Sequence, residues 1–323
     1  MRKVIYQLLV SVGFISLSFS SVGQGIPSDK TIRIIVPYAA GGTSDILGRM
    51  LAQNLAEKLG RTVIVENKAG AGGAIGTEAT VRAAADGTTI LLHSGAIAVE
   101  PALKKSINYN VEKDLAAVTT AVKGPFALLV NNESKARNTK ELIALARANP
   151  GKLNFGTPGI GTSVHLATEQ FKVAADIDIN HVPYKGASAA LQGLLANDVQ
   201  IVIDPLATAK QFDLSGKARA LAVTTKNRSE LWPEKPTVSE QALPGFDSSV
   251  WYGLYVPAKT PVQIVQQLND AFVAILKSPK MTTWLHENGL VAVADSPAEA
   301  QKWLSDDIAE WKKIVKAAKI EPQ

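Results

Sequence analysis

Short runs of apolar, often β-branched residues alternate along this chain with longer stretches in which apolar residues recur every three or four positions. Residues 31–37 form such a run, and 45–59 follow with Leu47, Leu51 and Leu55 on one face. The first pattern is typical of a buried strand and the second of an amphipathic helix. The same reading predicts strands at 62–65, 88–92 and 115–122 and a helix at 77–85.

The middle of the chain repeats this plan. Residues 152–171 match 31–50 in order: a buried strand, a loop rich in Gly, Thr and Ser, and a helix. Further strands are predicted at 126–130, 179–183, 199–203 and 219–224, with helices at 139–148 and 187–196. Strands that alternate with helices indicate parallel sheets joined by right-handed crossovers. The pattern therefore predicts an α/β protein with two lobes of similar design.

Two strands do not fit the simple alternation, namely 126–130 and 251–257. If each is an antiparallel strand inserted into the sheet that it enters, the chain crosses twice between the lobes. We therefore expect one lobe to comprise 24–123 plus 248–323, and the other to comprise 124–247. The tail from 260 to 319 then packs on the first lobe, with the tryptophans of its last helix in the core.

The first 23 residues have the features of a secretory signal. Arg2 and Lys3 precede an apolar stretch at 4–19, and the small residues at 21–23 suit a cleavage site. We expect an exported protein with residues 1–23 removed. No later stretch is long and apolar enough to predict a membrane span.

Composition narrows the chemistry. The chain has 323 residues and a net charge of +5, a weak excess that does not indicate a nucleic-acid binder. It has no cysteine, which excludes disulfides, thiolate metal sites and cysteine nucleophiles. Its 4 histidines leave little for a metal site built on histidine. We expect neither a metal nor a cofactor.

Two glycine-rich loops are the main candidates for binding. The segments 37–45 and 156–165 each join a strand to a helix at equivalent places in the two halves. A helix start exposes unpaired N–H groups and a partial positive charge, so it attracts anions. Neither loop contains Lys or Arg, so a binder would use backbone N–H groups and hydroxyls such as those of Thr43 and Ser44. Ligands of open α/β sheets sit at such strand ends, and two facing loops would clamp an anion.

Polar residues also stand at other strand ends. Ser94 is a plausible hydrogen-bond donor, Tyr184 could donate its hydroxyl or stack on a ligand, and Asp204 could accept from a ligand ammonium or hydroxyl. The structural alternative for Asp204 is a turn residue before Pro205. A third glycine run, 70–76, lacks the Lys of a phosphate-binding loop and has Ile75 at the last glycine position of a dinucleotide motif. We interpret it as a close-packed turn near the rim of the cleft.

Catalysis is weakly supported, but an alternative remains. The segment 161–165 fails the G-x-S-x-G pattern because position 165 is His. A secreted esterase that uses Ser163 or Ser94 is the alternative to a binding protein. A receptor that presents its ligand to a sensor in the membrane is another.

Several segments together resemble one family, the substrate-binding proteins of tripartite tricarboxylate transporters, also called Bug-type receptors. They are IRIIVPYAAGGTSDILGRMLAQNLAEKLG, VIVENKAGAGGAIGTEAT, KLNFGTPGIGTSVHLA, HVPYKGASAALQGLLANDVQIVID, RALAVTT and WYGLYVPAKTP. They cover essentially all of the chain after the signal. The resemblance implies the type II periplasmic-binding-protein fold, in which two facing loops hold a carboxylate with the help of ordered waters.

Carried over by motif, the resemblance implies a set of ligand contacts in the two loops and at the strand ends. They are Tyr38, Ala40, Gly41, Gly42, Thr43, Asp45, Ser94, Thr157, Gly161, Thr162, Ser163, His165, Tyr184 and Asp204. It also implies a periplasmic, monomeric receptor that delivers a small organic carboxylate to membrane permease subunits. Pro158 and Ile160 depart from the small or polar residues of many members, which favours a larger or more apolar acid.

Overall fold

The computed structural model describes residues 25–103 and 107–317, so the predicted signal at 1–23 lies outside the described residues. The strands are β1 (Ile32–Val36), β2 (Val63–Asn67), β3 (Thr89–Ser94), β4 (Leu115–Val130), β5 (Asn154–Thr157), β6 (Asn180–Pro183), β7 (Ile201–Pro205), β8 (Arg219–Val223), β9 (Ser249–Pro257) and β10 (Val291–Ala292). The helices are α1 (Thr43–Leu59), α2 (Ala74–Val81), α3 (Glu100–Leu103), α4 (Val111–Asp114), α5 (Thr139–Ala148), α6 (Ser163–Ala175), α7 (Ala187–Leu195), α8 (Leu206–Leu214), α9 (Val238–Gln241), α10 (Val262–Leu276), α11 (Pro279–Glu287) and α12 (Pro297–Ala317).

One part of the sheet is built on the parallel strands β2, β1 and β3. Strand β9 lies antiparallel between β3 and β4. Leu47 and Leu51 of α1 pack with Ile34 on one face, whereas Ile35 packs on the other face with Leu304 of α12. Because helices cover both faces, β1 is an almost continuous apolar run, as buried parallel strands usually are.

The other part of the sheet has the parallel strands β6, β5 and β7. The second half of β4 pairs antiparallel with both β7 and β8. Phe155 of β5 and Ile201 of β7 pack under α6, where Phe171 is fully buried in the same core. The antiparallel insertion predicted for 126–130 and 251–257 is therefore confirmed.

The prediction of two separate strands at 115–122 and 126–130 is wrong, because Leu115–Val130 is one strand. Gly124 and Pro125 suggest a break in the sequence, but in the structure they pair with Val250 and Ser249 of β9. Proline lacks an N–H and glycine a side chain, yet the continuous partner strand carries the pairing past both. Strands β4 and β9 thus cross together between the two parts of the sheet.

The registers of the sheet bring the carboxyl ends of both parallel sets to this crossing. Ser94, the last residue of β3, pairs with Tyr252, which also pairs with Val122 of β4. Pro205, the last residue of β7, pairs with Phe126 of β4. Val122 and Phe126 are roughly 13 Å apart along an extended strand. Strands β3 and β7 run in opposite directions, so their carboxyl ends approach each other from opposite sides.

Helix α12 joins the two parts from outside the sheet. Leu166 of α6 is buried in the same apolar cluster as Trp311 and Ile314 of α12 and Trp251 of β9. The predicted core role of the last helix is confirmed for Trp311, whereas Trp303 is only partly buried. Among the described residues, no helix is both long enough and apolar enough to cross a bilayer.

The crossing is tightly packed, which gives a test. A Cβ added at Gly124 would lie 2.5 Å from the carbonyl oxygen of Gly289, closer than atoms can pack. We expect Gly124→Ala to lower the free energy of unfolding by about 1–3 kcal/mol, because overpacking forces the backbone to shift. Urea denaturation measures it, with Gly25→Ala as control because its nearest neighbour is 3.8 Å away. Equal stability of the two variants would contradict the tight crossing.

Candidate functional site

The first glycine loop ends at an open helix start. Helix α1 begins at Thr43, and the capping position is Gly42, which has no side chain to cap the helix. The N–H groups of a first helical turn have no partner within the helix. Residues 39 to 43 are exposed, so Thr43 opens the helix at the surface, whereas Ser44 and Asp45 are buried and the Asp45 N–H donates to the Gly42 carbonyl at 3.0 Å. Gly41 has φ +90°, a conformation that favours glycine, and its N–H donates to Asp45 Oδ2 at 2.9 Å.

Asp45 holds this loop in place. Besides Gly41, its carboxylate accepts hydrogen bonds from Arg49 Nε at 3.1 Å and from Asn67 Nδ2 at 3.0 Å. Hydrogen bonding by Arg49, and then by Gly41, lowers the pKa of Asp45 below its ordinary value. The side chain is only 4% exposed. The sequence predicted a ligand contact at Asp45, but the structure directs its carboxylate to the loop itself.

Hydroxyl groups gather beside the first loop. The hydroxyl of Tyr38 is 2.6 Å from Ser94 Oγ and 3.3 Å from His93 Nδ1. Tyr252 of β9 forms side-chain hydrogen bonds with Thr43 and with its neighbour in α1, and burial raises its pKa to about 12. Burial also raises the pKa of Tyr38. Both phenols therefore stay protonated and can donate hydrogen bonds.

A buried polar network formed by Tyr109, Glu100 and His93 lies next to these hydroxyls. The Tyr109 hydroxyl donates to Glu100 Oε2 at 2.5 Å, and Glu100 Oε1 lies 3.4 Å from His93 Nε2. A Cβ added at Gly73 would come within 2.6 Å of His93 Nε2, and one at Gly76 within 2.6 Å of the Pro37 side chain. The third glycine run is thus a close-packed turn, as predicted.

The second glycine loop also ends at a helix start, but this helix has a side-chain cap. Helix α6 begins at Ser163, and its cap Thr162 accepts from the His165 N–H at 3.3 Å. The Thr162 hydroxyl donates to the Gly159 carbonyl at 2.8 Å. Gly161 has φ +77°, and its N–H donates to His165 Nδ1 at 3.2 Å.

The two loops are structural equivalents, offset by one residue from the match read in the sequence. In each, a glycine with positive φ before the cap donates its N–H to the side chain at the third helical position. The glycines are Gly41 and Gly161, and the acceptors are Asp45 and His165. The first loop spans 37–42 and the second spans 158–162, which is one residue shorter. Two sequences aligned at the strands are therefore displaced by one residue where the helices begin.

His165 belongs to an aromatic stack that the sequence did not reveal. Its ring lies 4.2 Å from that of His181, which in turn lies 4.8 Å from Phe155. His181 Nε2 is 2.6 Å from the hydroxyl of Thr157, at the start of the loop. Burial lowers the pKa of His165 to about 3 and that of His181 to about 4. Neutral His165 keeps Nδ1 free to accept from Gly161.

The two predicted residues at the other strand ends differ in their placement. Tyr184 packs its ring against Gly156 of β5 and along α7, where its hydroxyl occupies the space that a side chain at Gly193 would need. Asp204 is 2% exposed, and its Oδ2 has no hydrogen-bond partner among the described residues. Burial raises its pKa to about 7. A buried carboxyl oxygen without a partner is costly, and a donor from a ligand would satisfy it.

Residues from the two parts of the sheet share one space. Gly95, which follows β3, and Ser163, which opens α6, line a cavity of about 170 Å³ together with Phe126 and Trp251. This cavity lies at the crossing that the strand registers predict. Of the predicted contacts, Ala40, Gly42 and Thr43 are exposed, while Thr157 and Ser94 are buried at the strand ends.

Ser94 does not form the serine–histidine hydrogen bond that an esterase would need. Its Oγ bonds to Tyr38, while His93 Nδ1 lies 2.8 Å from the carbonyl oxygen of Ser94. His165 uses Nδ1 for Gly161, and no hydrogen bond between Ser163 and a histidine is found among the described residues. Nor do three or more potential metal ligands cluster in the described part of the chain.

Comparisons with known proteins agree with this architecture. The family described as "Tripartite tricarboxylate transporter family receptor" matches residues 47–320. The protein BugT of Bordetella pertussis is 34% identical over 316 residues, 96% of this chain and 97% of that protein. Rpa4515 of Rhodopseudomonas palustris, solved with adipate, is 32% identical with a TM-score of 0.80, covering 91% of this chain and 98% of that one.

MatC from Rhodopseudomonas palustris, solved with bound malate, is 27% identical with a TM-score of 0.77, covering 88% of this chain and 98% of that one. These findings confirm the resemblance drawn from the sequence. They also confirm the predicted fold class, a two-lobed α/β protein of the type II periplasmic-binding-protein kind.

The histidine stack predicts how stability depends on pH. Because the folded pKa values of His165 and His181 lie below the ordinary value of 6.5, the unfolded chain binds protons that the folded chain does not. Stability is therefore retained above about pH 6.5 and falls as the pH drops, by about 2 kcal/mol per histidine at pH 5.

We expect His165→Asn to lose about half of this acid sensitivity, since asparagine can still accept from Gly161. Chemical denaturation between pH 5 and 8 measures the slope of unfolding free energy against pH. His286→Asn is the matched control, because that side chain is exposed. If the slope of His165→Asn equals that of the unmodified chain, the pKa of His165 is not depressed in the folded state.

Proposed function

We propose, because this chain belongs to the tripartite tricarboxylate transporter receptor family, that it binds a small organic carboxylate and delivers it to membrane permease subunits. The observation that carries the proposal is that two helix starts lie near the crossing of β4 and β9. The start of α1 has no side-chain cap, and the start of α6 is capped by the hydroxyl of Thr162. An anion at this place gains from both helix dipoles and from the N–H groups of the first residue of each helix.

The carboxylate would be held by backbone and hydroxyl donors. In the first loop these are the N–H and the hydroxyl of Thr43. In the second they are the N–H and hydroxyl of Ser163. Gly41 and Gly161 act differently in this scheme, because their N–H groups are committed to Asp45 and His165. Their part is to shape the loops, and an added Cβ at either would meet no described atom within 4 Å.

Such a site is strong enough for capture. Each hydrogen bond to a charged ligand contributes about 1.5–3 kcal/mol. Four or five of them, after the cost of ordering the ligand, are compatible with micromolar affinity, about −8 kcal/mol. In our proposal the lobes are 24–123 plus 248–323 and 124–247. The ligand stabilises the closed arrangement of these lobes, which is a population shift.

The remaining parts of the proposal concern location and partners. Family membership supports a periplasmic receptor exported with the signal at 1–23, acting as a monomer without a catalytic step. Ile160 in the second loop is 51% exposed, which favours an acid with an apolar portion near the mouth of the site. A sensory receptor would share this geometry. Carboxylate uptake by vesicles that carry the permease, with and without the receptor, distinguishes transport from sensing.

A charge at the second loop tests the site. We expect Gly161→Asp to weaken carboxylate binding at least tenfold more than Gly161→Asn, because only aspartate places a negative charge beside the bound anion. The two variants share size and backbone strain, so asparagine is the matched control. Thermal shift with mono-, di- and tricarboxylates identifies a binding acid, and calorimetry measures its affinity. Equal affinities in the two variants would remove the second loop from the site.

Asp204 tests selectivity. We expect Asp204→Asn to change the affinity ratio of 3-hydroxybutyrate to butyrate at least fivefold, because the carboxyl oxygen without a partner is the acceptor for a ligand hydroxyl. The ratio in the unmodified protein should change between pH 6 and pH 8, since the pKa of Asp204 is about 7. Competition calorimetry measures both acids. If the ratio is the same in both proteins at both pH values, Asp204 has only a structural role in β7, where it pairs with Ala127 and not in the turn that the sequence suggested.

A further inference from the structure

The cavity shared by Gly95 and Ser163 has a second wall of a different character. It extends between α6 and α12, where three indoles line it, those of Trp251, Trp303 and Trp311. Trp251 and Trp303 lie 6.4 Å apart and are inclined at 57° to each other, so their faces are not stacked on one another. Indole faces attract cations within about 6 Å of the ring centre.

One of these rings already contacts a cation. Lys123 Nζ lies 5.7 Å from the centre of the Trp303 ring. Lys123 is on β4 and does not itself line the cavity. The contact shows that the environment of this indole tolerates a positive charge at its face.

Carboxylates complete this wall. Asp307 lines the cavity and accepts from Trp251 Nε1 at 3.0 Å, and Glu310 lies one helical turn further along α12. Asp247 lines it as well, while none of the described lining residues is Lys or Arg. Burial raises the pKa of Asp307 to about 6, while hydrogen bonds from Trp251 and Trp311 favour its ionised form. Glu310 also pairs with Lys313 Nζ at 3.2 Å, so Asp307 and Asp247 carry most of the negative charge of this aromatic wall.

The cavity is thus polarised from end to end. At one end Ser163 opens α6, where the helix dipole favours a negative group. At the other end stand carboxylates and indoles, which favour a positive group. We propose that the natural ligand is a zwitterion, whose carboxylate binds at the helix starts and whose alkylammonium group enters the cavity between α6 and α12. This inference rests on the proposed function and narrows its ligand class.

Charge and size separate this ligand from a plain dicarboxylate. A second carboxylate in the cavity would face Asp307 and Glu310, which are like charges. A cavity of about 150 Å³ accommodates benzene in another protein, so about 170 Å³ is sufficient for a trimethylammonium group. Adipate, found with one relative, carries a negative group at both ends and does not fit this polarity.

Two isosteric probes isolate the charge of the distal group, and a dicarboxylate with the same methylene chain reverses it. They are 5-(trimethylammonio)pentanoate, its neutral isostere 6,6-dimethylheptanoate, and adipate, which share the carboxylate and the methylene chain. We expect calorimetry at pH 7.5 to give the lowest Kd for the trimethylammonio acid, at least tenfold below that of the isostere. Adipate should bind more weakly than the isostere.

Variants of α12 then locate the effect. Asp307→Asn and Glu310→Gln should each lower the affinity ratio of the cationic probe to the neutral isostere, by at least fivefold and about twofold respectively. Glu310 is exposed, so its variant keeps the test meaningful if Asp307→Asn fails to fold. Asp306→Asn is the matched control on the same helix, because Asp306 pairs with Lys302 outside this cavity. It should leave the ratio unchanged.

The outcomes separate this inference from the proposed function. If adipate or the isostere binds as tightly as the trimethylammonio acid, or if the control variant has the same effect as Asp307→Asn, the zwitterion is wrong while carboxylate capture stands. If neither these probes nor any acid of the wider panel binds, the proposed function fails and this inference fails with it.

Discussion

The pairing of β4 with β9 is the constraint on which the rest of this structure depends. Because β4 is continuous from Leu115 to Val130, it serves as a member of both parts of the sheet. Its register sets where β3 and β7 end, and those ends set where the two glycine loops begin. An extended strand bonded along both edges resists sliding, so the relative positions of the loops follow from backbone hydrogen bonds.

The two loops solve one problem with different side chains. Each must turn sharply from a strand into a helix, and each fixes the turn by a hydrogen bond from a glycine N–H to the third helical residue. Asp45 carries a negative charge that Arg49 and Asn67 offset, whereas His165 is neutral. The second loop therefore presents the more favourable electrostatic environment to an anion, and the first depends on Arg49 to reduce the field of its own carboxylate.

Local pattern predicted most strands, the helices α1, α2, α5, α6 and α7, and the positions of both loops, because burial and helix starts leave clear signals in sequence, but it missed α8 between β7 and β8. It missed the continuity of β4, since Gly124 and Pro125 resemble a break unless the partner strand is known. Tyr184 stands at a strand end in sequence, but its ring packs away along α7. The contacts of His181, Tyr252 and His93 could not be predicted because their partners are distant in the chain. The bond of Asp45 to Asn67 was not predicted because it is tertiary, whereas Arg49 lies one turn further along the same helix.

The apolar contact between Leu166 and the last helix has a consequence for the resting receptor. Separating α6 from α12 would expose Leu166, Trp311 and Ile314 to water. The free-energy cost is proportional to the apolar area exposed. That cost opposes any separation of α6 from α12, whether or not a ligand is bound. A movement that opens the space between these helices must therefore be offset by new contacts elsewhere in the molecule.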